Sequence, residues 1–159
     1  MRLTEHFKLS EFTNSSTATA RGIDNTPNEQ QIANLKRICE EILEPLRAYA
    51  NESSPSKGDK RGAVPIIIGS GYRSPALNKA VGGVPNSQHQ TGEAVDIHIP
   101  DEATGRKWFL WMMDNLKFDQ LIMEKSTPSS TRYWIHVAFK RTGINKQQVI
   151  HNLIKYPSK

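Results

Sequence analysis

The chain has 159 residues, a length typical of one folded domain, and we expect a single domain over residues 1–159. Its 21 lysine and arginine residues exceed the 16 aspartate and glutamate residues by five. This excess suits an anionic partner such as a bacterial wall polymer, but it is spread without a block of like charges, so we expect no nucleic acid partner. One cysteine, Cys39, excludes a disulfide framework, and its apolar helical surroundings predict an inert core thiol.

The amino terminus lacks the apolar core of a signal peptide, and no apolar run has the length of a membrane span. We therefore expect a protein made in the cytoplasm without a signal peptide and without stable membrane insertion. We also expect a monomer.

The first strong pattern along the chain is a helix. Thr26-Pro27-Asn28-Glu29 has the form of a capping box with proline at the first helical position, and apolar residues follow at helical spacing. Pro45 predicts a kink or an early end near Glu44. Residues 51–62 are polar and rich in helix breakers, which predicts a surface loop.

The second half of the chain alternates between strand and helix patterns. Ser74-Pro75 predicts a helix start, and Gly82-Gly83 predicts its end. Residues 102–116 predict a helix that faces the core. The tail from Asn145 to Leu153 has the composition of a short final helix. The predicted strands are Val64–Ile68, Ala94–Ile99, Leu121–Lys125 and Tyr133–Phe139, the last two joined as a hairpin. We predict an α+β fold, a small antiparallel sheet with helices packed around it.

Three residues in this frame suit a metal. His89 lies in a polar loop, whereas Asp96 and His136 lie among apolar strand residues, where a carboxylate needs a compensating cation or hydrogen bonds. Two imidazoles and a carboxylate suit Zn²⁺, and three protein ligands leave a fourth position for water, which is typical of a hydrolase. His98 shares the face of Asp96 and is a supporting partner, an alternative ligand or a surface residue.

These residues sit within motifs that resemble the M15 peptidase family. The motifs are Ser70-Gly71-Tyr72-Arg73-Ser74-Pro75, Asn78, Val81-Gly82-Gly83, Ser87-x-His89-x2-Gly92-x-Ala94-x-Asp96 and Trp134-Ile135-His136-Val137. That family comprises zinc D-Ala-D-Ala carboxypeptidases, dipeptidases and phage cell-wall endopeptidases, with a fold related to the hedgehog signalling domain. The resemblance implies that His89, Asp96 and His136 bind Zn²⁺ and that the substrate is a peptidoglycan stem peptide.

The resemblance also implies two substrate-binding residues. Arg73 matches an arginine that holds a substrate carboxylate or carbonyl, a role suited to the planar guanidinium fork. The alternative is an arginine that caps the turn before the Ser74-Pro75 helix. Ser87 matches a serine near the site, and its alternative is a hydroxyl that stabilises the turn after Pro85-Asn86.

The general base is where the sequence departs from the common pattern. Many relatives place Glu or Asp three residues before the last histidine, but Tyr133 occupies that position here. Glu124 is the predicted catalytic base, provided the hairpin sets it opposite Trp134 and therefore diagonal to His136. A register slip of one residue would move it to the other face. The alternative is a solvated glutamate paired with Lys125 or Arg132.

The sequence thus predicts a zinc metallopeptidase, a carboxypeptidase or an endopeptidase, that cleaves peptidoglycan stem peptides. The expected setting is a phage or prophage lysin that acts at the bacterial cell wall after release through a membrane lesion made by another protein. The alternative, favoured by the missing acid before His136, is a catalytically silent wall-binding or phage structural module that keeps zinc for stability.

Overall fold

The structure is a computed structural model, and it describes residues 1–52, 64–125, 129–130 and 132–151. Most of the predicted surface loop at 51–62 and part of the hairpin loop lie outside these residues. The helices are α1 Ser10–Thr13, α2 Ser16–Arg21, α3 Glu29–Ile38, α4 Glu44–Glu52, α5 Pro75–Ala80 and α6 Glu102–Asn115, with a π-helical turn at Cys39–Leu43 and a 3₁₀ helix at Gln88–Thr91. The strands are β1 Arg2–Thr4, β2 Phe7–Lys8, β3 Ile67–Ser70, β4 Ala94–His98, β5 Gln120–Lys125, β6 Tyr133–Ala138 and β7 Gln148–His151.

In the residues that the structure describes, the main sheet has five strands in the order β3-β4-β6-β5-β7. Four strands pair antiparallel as predicted, but β7 pairs parallel to β5, so the sheet is mixed. The predicted final helix is therefore wrong. Gln147 and Gln148 donate their backbone N–H groups to the carbonyls of Phe118 and Asp119, which aligns the tail along β5. A short segment with Val149 and Ile150 fits a strand as well as a helix, and the tertiary pairing decided between them.

The first long helix begins two residues later than predicted. Asn28, not Thr26, is the cap, and its side chain and that of Gln31 form a reciprocal capping box. The helix does not end near Glu44. Instead, the π-helical turn precedes Pro45, and α4 continues to Glu52. A wider turn at this point accommodates a proline that lacks an N–H donor and whose ring crowds the preceding turn.

The two faces of the sheet have different chemistry because side chains alternate along each strand. One face is apolar and buried with α3, α4 and α6 in a single core cluster. This cluster includes Val95, Ile97, Leu121, Met123, Ile135, Val137, Leu35, Ile42, Phe109 and Met112. Cys39 is fully buried in the same cluster, which confirms that it is a core residue. The opposite face carries Asp96, His98, Trp134 and His136.

The amino-terminal segment closes one end of this core. Phe7 and Phe12 are buried there, and their ring centroids lie 6.2 Å apart. The backbone N–H of Tyr72 donates to the carbonyl of Phe12, so α1 contacts the chain just after β3. In the described part of the chain, no helix is both long and apolar enough to cross a bilayer.

Candidate metal centre and active site

The three predicted ligands converge at the polar face of the sheet. Asp96 of β4 and His136 of β6 are direct register partners, and His89 lies on the 3₁₀ helix that precedes β4. One ligand atom from each residue lies within 4.8 Å of the other two. Asp96 Oδ1 is 2.9 Å from His136 Nδ1 and 3.3 Å from His89 Nε2. The fold therefore brings together residues that are 47 positions apart in the sequence.

His89 is held by its local backbone. The side chain of Ser87 caps the 3₁₀ helix by accepting the N–H of His89 at 3.2 Å. The Nδ1 atom of His89 lies 2.7 Å from the carbonyl oxygen of Gly71, which can only accept a hydrogen bond. The proton of the neutral ring therefore sits on Nδ1, and the lone pair of Nε2 points towards Asp96.

This arrangement calls for a cation. A lone pair on His89 Nε2 and a carboxylate oxygen of Asp96, 3.3 Å apart in a site where His89 is buried, repel one another unless a proton or metal ion lies between them. Two imidazole nitrogens and one carboxylate oxygen form a donor set typical of Zn²⁺. The residues present therefore fit a zinc ion.

Asp96 is ionised in this environment. Burial is the largest influence on its pKa and would raise it. When a ring proton of His136 or His89 faces the carboxylate in place of a metal ion, its hydrogen bond and charge outweigh burial and hold the pKa well below its usual range. A carboxylate that stays ionised in a buried position is ready to bind a cation across the neutral pH range.

Arg73 holds the second oxygen of Asp96. Its Nη2 lies 3.6 Å from Asp96 Oδ2, while Nε donates to Ser70 Oγ and Nη1 donates to Asn78 Oδ1. Its backbone N–H also donates to the carbonyl of His89. Arg73 therefore contacts the candidate metal site, and its role in substrate binding stays a prediction.

A bulge in β3 places Ser70 beside this ion pair. Ile68 pairs with Ile97 and Ser70 pairs with Asp96, so Gly69 is an extra residue in the strand. The bulge shifts Ser70 onto the face of Asp96, where its hydroxyl accepts the bond from Arg73.

Helix α3 stabilises the end of the 3₁₀ helix through hydrogen bonds. Gln31 and Asn34 donate side-chain bonds to the carbonyls of Gln90 and Thr91. Gly92 follows with a φ of 74°, and a Cβ there would lie 2.6 Å from the carbonyl oxygen of Gln31. Only glycine satisfies both this left-handed conformation and this close approach.

The other predicted site residues occupy different positions. Glu124 lies opposite Trp134, as its assignment required, and therefore diagonal to His136 on the polar face. Its catalytic role stays a prediction. Lys125 places its Nζ 5.0 Å from the ring centroid of Tyr133. His98 is exposed on the same face and is not part of the metal cluster found among the described residues.

Two supporting residues were not recognised as such in the sequence. Asp119 was expected to cap or form a turn, and it does accept the N–H of Lys146, but it is also buried and accepts a bond from Gln88, the neighbour of His89. Buried Asn78 joins Arg73 to the carbonyl of Val84. A polar residue next to an apolar run was the available signal for Asp119, but the sequence does not indicate its partner.

Comparison with known protein families agrees with this geometry. Residues 5–138 match the family described as peptidase M15. The chain belongs to the peptidase M15 family. The matched range contains all three candidate ligands, Arg73, Ser87 and Glu124. No curated protein matches the chain.

Membership of the M15 family has two consequences. The family is a zinc-dependent peptidase family, and the cluster of His89, Asp96 and His136 is suited to bind the metal. The family also implies a hedgehog-like fold, in agreement with the mixed sheet and surrounding helices observed here.

Proposed function

We propose that this M15 peptidase hydrolyses a peptide bond in peptidoglycan stem peptides with a zinc ion held by His89, Asp96 and His136. The observation that carries the proposal is the convergence of His89 Nε2, Asp96 Oδ1 and His136 Nδ1 in a family of zinc peptidases. When bound, zinc would supply a Lewis acid for the scissile carbonyl and lower the pKa of a water.

A cavity that borders Asp96 supports a substrate of peptide size. Its volume is about 660 Å³, and its walls include Asp96, His98 and Trp134. A second cavity of about 330 Å³ adjoins Arg73. Clefts of this scale are typical of small-molecule and peptide sites.

In this proposal, side chains of the protein position the substrate and transfer the proton of the attacking water. Glu124 accepts a proton from the attacking water and passes it to the leaving amine. Arg73, already fixed by Ser70 and Asn78, directs its guanidinium towards a substrate carbonyl or carboxylate. Ser87 orders the 3₁₀ helix of His89, and a direct substrate contact by its hydroxyl is also proposed.

Mass spectrometry of purified muropeptides after incubation with the zinc-loaded protein tests the proposal. We expect fragments from one bond type, which would also identify it as a D,D, L,D or L-alanyl-D-glutamyl link and separate carboxypeptidase from endopeptidase activity. The matched control is His136→Ala under the same conditions. Intact muropeptides with the zinc-loaded protein would overturn the proposal.

The second candidate function is a catalytically silent zinc module that binds the wall or belongs to a phage structure. Tyr133 favours it, because this residue occupies the position of the usual acid and packs against the core cluster. Sedimentation with purified cell walls, without release of fragments, would support this second function.

The proposed setting is the bacterial cell wall, reached after release from the cell, as for a phage or prophage lysin. The net charge of +5 is compatible with an anionic wall polymer. Turbidity of purified walls before and after addition of the protein measures action in that setting.

A further inference from the structure

Gly69 is the extra residue of the bulge in β3, but in the described part of the chain neither its backbone conformation nor its surroundings require a glycine. It is not among the glycines with positive φ. A Cβ at this position would meet only the carbonyl oxygen of Asp96, at 3.7 Å, which is an ordinary contact. Glycine in a strand is costly in conformational entropy and often marks a bulge, as it does here, or a place where a ligand or another backbone approaches closely.

The position of Gly69 indicates what approaches it. Gly69 and Ser70 line both cavities, the larger one bordered by Asp96 and the smaller one by Arg73. The ion pair between Asp96 and Arg73 lies at this junction. A side chain at position 69 would therefore stand between the two cavities, next to the candidate metal ligands.

Within the described residues, the strand that carries Gly69 has a free edge. β3 is the first strand in the sheet order, so among the described residues only β4 pairs with it. Among the described residues, no turn or loop forms a backbone hydrogen bond with Ile67, Ile68, Gly69 or Ser70. An extended peptide can add to such an edge through its main chain. Ile67 is 51% exposed at the start of the same strand.

We propose that the edge of β3 binds the substrate peptide in an extended conformation and that its main chain crosses Gly69 from one cavity to the other. The absent side chain of Gly69 is thus a determinant of substrate binding. This inference rests on the proposed peptidase function and adds where and in what conformation the peptide lies.

The substrate peptide is the proposed occupant because the edge of β3 is continuous with the candidate metal site. β3 leads directly into Ser70 and Arg73, which contact each other and Asp96. A peptide on this edge lies on the side of β3 away from Asp96, so its main chain would reach the metal ligands where it crosses β3 at Gly69. Gly69 would allow its backbone to approach more closely than any larger residue.

The test compares Gly69→Ala and Gly69→Val with the unchanged zinc-loaded protein on a muropeptide that it cleaves. We expect KM to rise several-fold for alanine and by about tenfold or more for valine, because each added carbon occupies space that the peptide needs. Zinc content should not change, and the melting temperature of Gly69→Ala should not fall, since the position has room for a Cβ and alanine loses less conformational entropy on folding than glycine. Ile67→Val is the matched control, because Ile67 lies on the same strand but lines neither cavity.

Each outcome decides the inference. KM values within twofold of the unchanged protein for both variants would overturn it while the peptidase function stands. Loss of zinc or of melting temperature in Gly69→Ala would also overturn it, because the glycine would then be required by the fold. Absence of cleavage by the unchanged protein would overturn the proposed function and this inference together.

Discussion

At the scale of single residues, the metal site depends on three ligand atoms from three elements. His89→Ala, Asp96→Ala and His136→Ala should each remove most of the bound zinc, because a site with three protein ligands does not tolerate the loss of one. Zinc per protein is measured after dialysis by atomic absorption. His98→Ala is the matched control, since His98 lies on the same face outside the cluster. Full zinc retention in two of the three ligand variants would contradict the assignment.

Glu124 is tested by a substitution that preserves its shape. Glu124→Gln should leave zinc bound and lower turnover of a muropeptide by roughly 10² to 10⁴-fold, the usual contribution of a general base. Turnover and zinc content are measured on the same preparation. Near-normal turnover would show that another group accepts the proton, with His98 next on this face to examine.

Cys39 has no chemical role in the site, and its environment predicts inertness. Burial raises the pKa of its thiol to about 12, with a further contribution from the charge of Glu44. The reactive thiolate is therefore scarce at pH 8, and a thiol reagent should label the native protein at least about a hundredfold more slowly than the unfolded protein. Labelling in buffer and in denaturant measures this difference. Fast labelling of the native protein would contradict the buried position.

At the scale of elements, Asp119 connects β5 to the 3₁₀ helix of His89. Its carboxylate accepts bonds from the Lys146 backbone and from the Gln88 side chain. Asp119→Ala should lower the free energy of unfolding by about 1–3 kcal/mol, because two partly buried hydrogen bonds are lost. Urea denaturation measures the loss, and Asp114→Ala on the exposed part of α6 is the control. Equal losses for both variants would mean that Asp119 does not connect these elements.

The sheet shows which elements could be predicted from the sequence. β4, β5 and β6 were predicted within a residue or two, because their apolar residues alternate and one face is buried. β7 was predicted as a helix, since it depends on pairing with β5, 28 residues earlier. The capping position was wrong by two residues because Asn28 and Thr26 are both good caps and only the packed helix selects one.

At the scale of the whole molecule, zinc should stabilise the fold. Its ligands come from the 3₁₀ helix, β4 and β6, so the ion binds the folded protein and has no equivalent site in the unfolded chain. Free zinc at about a thousandfold above its Kd would add about 4 kcal/mol to the free energy of unfolding. This gain would raise Tm by roughly 8 to 16 °C. Differential scanning calorimetry with chelator and with added zinc measures the shift. His89→Ala should show little shift, and an equal shift in that variant would place the stabilising zinc elsewhere.

The sequence by itself determined the α+β class, the M15 resemblance and the identity of the three candidate ligands. Residue types and their spacing carry that information, because a carboxylate or an imidazole in an apolar strand needs a partner whatever the fold. The tertiary structure decided the rest: the opposition of Asp96 and His136, the bond from His89 to Gly71, the ion pair of Arg73 with Asp96, and the bulge at Gly69. Each of these depends on strand register or on contacts between distant segments, which the residue types within one segment do not specify.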